Sequence, residues 1–447
     1  MSRTHHGHGH AHSLSDISHT LSPIARWFVI GTLAVTAVAV AVGMVVLWPS
    51  DSEHPIPTQF RSADGGPITT VDGEIVDQFH ANCLNSVAGS VLETADIPVN
   101  PVPGGPCILN AVRFTSGDVA GQYTVLEIPT NRAQAGSGPD TVAPAAGTLD
   151  EPQAGQPTLN VGDGIRLATV PGPGPDGSNR YSFFDFQRGP AIIFWAVLFI
   201  AAIVLVAAWR GFRSIIGLAI AFGVLTVFTL PAILDGSSPV AVAVVSSAVI
   251  LFVVLYLAHG VSLRTSSALL GTLTSLLLAG FLSWLAIRTM NLTGLSGDQT
   301  TNLQVYQGNI SVSGLLLAGF IIGTLGVLND VTITQASAAF ELAAAGEPSR
   351  LATFRAAMRV GRDHIASTVY TLVFAYAGSA LPLMLLFSVA QQPLGGLLTT
   401  DVVAVELARS FVGGIAIALS VPLTTAIAAA LTTPAGAGRT PAAHAAA

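Results

Sequence analysis

The run GTLGVLNDVTITQASAAFEL, residues 323–342, sets two carboxylates, Asp330 and Glu341, among residues apolar enough for lipid. Gly319, Gly323, Gly326, Asp330, Thr334, Ser337 and Glu341 follow one another at spacings of 4, 3, 4, 4, 3 and 4. At 100° per residue they share one helical face. The face begins as three glycines, which let a neighbouring helix approach closely, and then becomes a carboxylate, two hydroxyls and a second carboxylate. An ionised Asp330 turned toward lipid costs about 2.5–3.5 kcal/mol on insertion scales, so it must meet protein or water. Desolvation favours the neutral form of a carboxyl group, which is how intramembrane carboxylates carry protons. A structural alternative stands beside this reading. Asn and Asp are good N-caps, and the β-branched VTIT after Asn329 and Asp330 is compatible with a helix that ends or breaks there. A locally unwound helix, common at transporter sites, would bring in Thr332 and Gln335 as ligands.

A second polar face follows in GRDHIASTVYTLVFAYAGSALPLMLLF, where His364, Thr368, Thr371, Ala375, Gly378 and Pro382 recur at spacings of 4, 3, 4, 3 and 4. Facing the first, it completes a path: Asp330 as titrating carboxylate, Thr334, Ser337, Thr368 and Thr371 along it, and Glu341 at the cytoplasmic mouth. Gly319, Gly323, Gly326 and Gly378 are the expected packing positions. The bland alternative for each threonine is a bond back to its own helix. No metal triad, nucleophile–base set or G-x-S-x-G accompanies these residues, so neither an enzyme nor a cofactor is expected.

Such faces need membrane helices to carry them. The 447 residues are 51% hydrophobic and 10% charged, against about 25% charged in ordinary soluble proteins. All 18 basic residues are Arg and the net charge is -7, which offers no basic footprint for nucleic acid. Eight apolar runs approach the about 20 residues needed to span a bilayer, at 27–48, 190–209, 214–234, 239–258, 265–287, 311–330, 365–388 and 407–430. The fold class expected is a polytopic α-helical membrane protein of about eight transmembrane helices, with a mainly-β extracytoplasmic domain between helices 1 and 2.

Arg26, Arg210, Arg213, Arg264, Arg350, Arg355, Arg359 and Arg362 fall on one side of these runs, which makes that side and both termini cytoplasmic. Arg188 and Arg409 at span edges weaken the bias. Between the last two polar spans, residues 347–362 read as an interfacial amphipathic helix.

The segment 49–188 holds the alternating runs GEIVDQF, CILNAVRF, YTVLEI, GIRLATV and RYSFFDF, expected as strands, with a disordered insert near 131–157. Cys83 and Cys107, the only two cysteines, lie in it, either as a disulfide in an oxidising compartment or as buried thiols. The tail 1–26 carries His5, His6, His8, His10, His12 and His19; it is expected to be disordered, with metal collection left open, and 431–447 is a second disordered tail.

The two polar stretches, followed over about 189–430, resemble the YibE/F-like family of bacterial multi-pass membrane proteins. The resemblance implies a bacterial cell-membrane location and this layout of helix, outer domain and bundle. It carries the family's polar signature onto Gly323, Asp330, Ser337, Glu341, Gly361, Arg362, Asp363, Thr371, Tyr376 and Pro382, while Asn329 and the threonine-rich TITQ depart from it. It implies no activity. A fainter pattern is similar to the late helices of proton-driven export proteins of the SecD/SecF type. Two functions are therefore expected in contention. One is a proton- or ion-coupled transporter or export factor for a small solute. The other is a scaffold or sensor whose outer domain binds an envelope protein partner. Either admits a homo-oligomer.

Overall fold

The computed structural model describes residues 23–50, 55–62, 65–97, 100–134, 146–170, 178–295, 298–306, 308, 310–390 and 393–432. The histidine tail and the C-terminal tail from 433 lie outside them. The chain divides into two units, His54–Ala201 and the pair Met1–Glu53 with Ala202–Ala447.

In the first unit every alternating run forms a strand: β1 Thr70–Ala81, β2 Cys107–Phe114, β3 Tyr123–Pro129, β4 Gly164–Val170 and β5 Arg180–Phe186. They make one antiparallel sheet ordered β3-β2-β1-β4-β5. The long β1 pairs with both β2 and β4, and its register slips between Ile75 and Asp77, the kind of irregularity that bends a strand. The free edges of β3 and β5 are joined by the segment around Gly89, whose N–H donates to the Val125 carbonyl at 2.9 Å and whose carbonyl accepts from Tyr181 N–H at 2.8 Å. Gly89 has φ +74, and a Cβ there would lie 2.8 Å from the Tyr181 carbonyl oxygen, so only glycine fits this closure. A five-stranded antiparallel sheet closed in this order has the layout of an OB-type barrel. Its core is built on Ile75, Val112, Phe114, Leu126, Ile165 and Leu167, with Phe114 edge-on to Tyr181 at 4.7 Å.

Cys83 and Cys107 are joined in a disulfide, their Cα atoms 5.2 Å apart. The insert expected at 131–157 is fastened at both ends. A short helix α2, Asn131–Gln134, sets Arg132 against Asp150 at 2.6 Å, and Thr130 bridges Pro152. Residues 135–145 lie outside the described set.

The helices that follow are α1 Pro23–Val46, α3 Gly189–Val224, α4 Leu230–Leu234, α5 Pro239–His259, α6 Leu263–Thr289, α7 Asp298–Tyr306, α8 Val312–Ala344, α9 Arg350–Ser379, α10 Leu381–Val389, α11 Leu394–Leu398 and α12 Asp401–Leu431. Among the described residues, six helical runs are long and apolar enough to cross a membrane, or seven with the bent pair α9–α10. The sequence reading of eight differs because 189–234 is a single 46-residue helical run. Ala208, at φ 49 and ψ -131, kinks that run, and a π-helical turn at Leu225–Thr229 leads into α4.

Two further boundaries move. α8 passes unbroken through Asn329 and Asp330 to Ala344, so neither residue caps a helix; Ser311 does, its Oγ accepting from Gly314 N–H at 3.1 Å. The expected surface helix 347–362 and the span after it are one helix, capped by Ser349 and ended before Leu381–Pro382, where the chain bends by 55°. Proline lacks the N–H and crowds the preceding turn.

Small residues let the bundle close. A Cβ at Gly43 would meet Val245, at Gly271 Thr424, at Gly361 Val421 and Gln335, and at Gly413 Leu372. Around them Ala268, Leu276, Ala279, Leu328, Ala336, Ala339, Ala416 and Ala428 belong to the buried apolar core of α6, α8 and α12.

Candidate functional site

α8 has two unlike faces. Leu325, Leu328, Thr332, Ala336 and Ala339 turn into the bundle, because this is the stripe rich enough in apolar and small side chains to bury. The opposite stripe is left outside: Gly319, Gly323, Gly326, Asp330, Thr334 and Glu341 are exposed and Ser337 is half-buried. At Gly319, Gly326 and Gly378 nothing in the described chain comes within 4 Å of a Cβ position, and at Gly323 only the Tyr376 hydroxyl does, at 3.6 Å.

Glu341 pairs with Arg264 at 2.6 Å, tying one end of α8 to the start of α6. Asp330 lies 11 residues further along, about 16 Å at 1.5 Å per residue. That is half of the about 30 Å hydrocarbon thickness of a bilayer, and it puts Asp330 near the middle of the 33-residue α8. Among the described residues its side chain has no hydrogen-bond or ion-pair partner. The Thr334 hydroxyl, one turn on, donates to the Asp330 carbonyl oxygen at 2.8 Å.

Thr368 and Thr371 donate to their own helix, to the carbonyls of His364 at 2.8 Å and Ser367 at 3.2 Å. α9 meets α8 through other residues: Gln335 Nε2 donates to the Ala357 carbonyl at 2.8 Å, Val331 packs with Leu372, and Tyr376 reaches Gly323. Thr332 and Gln335 are thus buried and bonded on the core face of a regular helix, where Thr332 Oγ1 meets Thr272 Oγ1 at 2.5 Å.

A second charged group lies in the half of the bundle beyond Asp330 from Glu341. Arg409 of α12 bonds Glu406 at 3.0 Å, and its guanidinium lies over the rings of Phe320 at 5.4 Å and Tyr376 at 5.5 Å. Three helices therefore hold one cation by an ion pair and two ring faces. The sequence reading used Arg409 only for orientation and passed over Glu406. An i,i+3 charge pair inside an apolar run was the available clue.

Ionisable groups thus stand at three depths along α8: Glu406 with Arg409, Asp330, and Glu341 with Arg264. Among the described residues no group of three or more His, Cys, Asp or Glu could hold a metal ion.

The protein-family model described as YibE/F-like protein matches residues 195–434. No curated protein and no solved structure matches the chain. The matched region holds the helices that carry all three charged groups and takes in just over half of the chain, which therefore belongs to the YibE/F-like family of membrane proteins.

Proposed function

We propose that this protein is a proton- or ion-coupled transporter or export factor in which Asp330 is the titrating carboxylate. The observation that carries the reading is Asp330 itself: a carboxyl group near the middle of a long apolar helix, on an outward face, without a partner among the described residues. Holding it ionised against lipid costs about 2.5–3.5 kcal/mol. Glu406 and Arg409 gate one side, Thr334 and Ser337 continue the path, and Glu341 with Arg264 closes the cytoplasmic mouth.

The reading includes eight crossings with both termini cytoplasmic. Gly217 lies against Val254 and Thr229 bonds Ser246 at 2.7 Å, so residues 211–234 run antiparallel to α5. α5 is 21 residues long, about 31 Å and one crossing. The apolar part of α3 before Ala208 has the length of another. The disulfide supports an oxidising, extracytoplasmic side for the barrel unit.

The test is charge movement in sealed proteoliposomes after a pH step and with a panel of cations. Wild type should give a current that Asp330→Asn, still folded, loses; equal currents in both would sink the role of Asp330. One observation favours a second reading, a scaffold or sensor whose outer domain binds a partner. A groove of about 330 Å³ runs between β3 and β5, lined by Gly89, Glu127, Arg180, Tyr181 and Phe183. Silence in both proteins, with partner capture abolished by deleting 60–185, would favour it.

A further inference from the structure

Behind Asp330, on the core side of α8, four hydroxyl residues are wholly buried: Thr272 and Ser275 of α6, Thr332 of α8 and Thr424 of α12. Thr332 is two residues from Asp330, so the group lies at the same depth. Gly271 faces α12, since a Cβ there would collide with Thr424 Oγ1. Thr272 faces α8, with its Oγ1 2.5 Å from Thr332 Oγ1. On a helix of 3.6 residues per turn, Ser275 projects about 40° from Gly271 and about 60° from Thr272. It points into the seam where the three helices meet.

The protons of this group are partly committed. One of the Thr272 and Thr332 hydroxyls donates to the other across their 2.5 Å contact, and the other donates to its own helix, to the Ala268 carbonyl at 2.8 Å or the Asn329 carbonyl at 3.1 Å, so both protons are committed and each oxygen keeps a lone pair. Among the described residues, Ser275 Oγ and Thr424 Oγ1 have no hydrogen-bond partner. A buried polar atom left without a hydrogen bond is destabilising, and two of them from different helices at one seam call for an occupant. The donors are hard neutral oxygens with no carboxylate among them. Divalent ions take carboxylates that offset their charge; a monovalent ion needs less.

We propose that the α6–α8–α12 seam binds a small monovalent cation of the sodium class through the hydroxyl oxygens of Thr272, Ser275, Thr332 and Thr424. As a coupling ion it rests on the transport reading, whereas its occupancy does not. Binding from three helices would fix the core side of the helix whose outer side carries Asp330.

The test is thermal unfolding of the full chain in nanodiscs of zwitterionic lipid, in sodium, potassium, lithium or choline chloride at equal ionic strength. Wild type should show a saturable rise in midpoint with sodium over choline. Ser275→Ala and Thr424→Val should raise the half-saturating sodium at least tenfold or abolish the rise, while Thr424→Ser, which keeps the oxygen, retains it. A wild-type midpoint indifferent to the cation would overturn the proposal and leave water or packing alone at the seam. Variants that keep the full sodium response would place the ion elsewhere and overturn it too. Asp330→Asn should keep the response, so a lost current in that variant leaves the site standing; loss of the response there would overturn the assignment to the hydroxyls.

Discussion

Breaking the Cys83–Cys107 disulfide should destabilise the barrel unit without unfolding it. The bond spans a sequence separation of 24 and fastens the end of the β1–β2 ladder, where Ala81 pairs with Cys107. Chain-entropy treatment of a loop that size gives about 3.5 kcal/mol at 25 °C, acting on the unfolded chain. The native loop has other ties that survive reduction. Glu127 accepts from the N–H groups of Leu84 and Asn85, and Gly89 bonds both sheet edges. For a unit the size of His54–Ala201, that loss lowers the unfolding midpoint by roughly 7–14 °C. Calorimetry of the full chain with and without reductant, beside the Cys83→Ala/Cys107→Ala variant, measures it. An unmoved midpoint, with alkylation proving both thiols free, would refute the reasoning that the bond limits the unfolded ensemble.

Gly271→Ala drives a methyl group into Thr424 and should cost about 1–3 kcal/mol by overpacking, read as a lower unfolding midpoint in nanodiscs. Arg409→Leu strands Glu406 in the span. Breaking a buried pair costs about 3–5 kcal/mol, and these side chains are about a quarter exposed, so the loss should sit at or below the bottom of that range. Glu406→Leu/Arg409→Leu should recover part of it, and a double variant no better than the single one argues against the pair. Arg132 holds the Asp150 carboxyl below its ordinary range through their hydrogen bond. A lowered folded value means that its stabilisation is present above the unfolded value, about 3.9, and is lost as pH falls through the folded one. Limited proteolysis next to Arg132 should therefore rise only below about pH 4, and Asp150→Asn should remove that pH dependence.

All five strands were legible because short apolar runs bounded by turns are a local property, as in CILNAVRF, buried at every position but Arg113, and in GIRLATV. The apolar runs were legible for a similar reason, since lipid demands length and composition that one segment supplies alone. The stripe from Gly319 to Glu341 could be drawn from spacing, and it is one stripe of a continuous helix. Spacing names a face but not its surroundings. Tertiary packing turned the Leu328–Ala336 side inward and left Asp330 outside, because the neighbouring helices compete for the same core and the most apolar face wins it. The same reason hid the close glycines: Gly271 and Gly361 matter through Thr424, Val421 and Gln335, residues far along the chain. Arg409 needed Phe320 and Tyr376 beside it, and Ser275 needed Thr424, before either became more than a polar letter in an apolar word. What the sequence determined by itself is what each segment must be in a membrane. What only the tertiary structure decided is which segments meet, since that depends on the fit of side chains far apart in the sequence, as Gly271 is from Thr424.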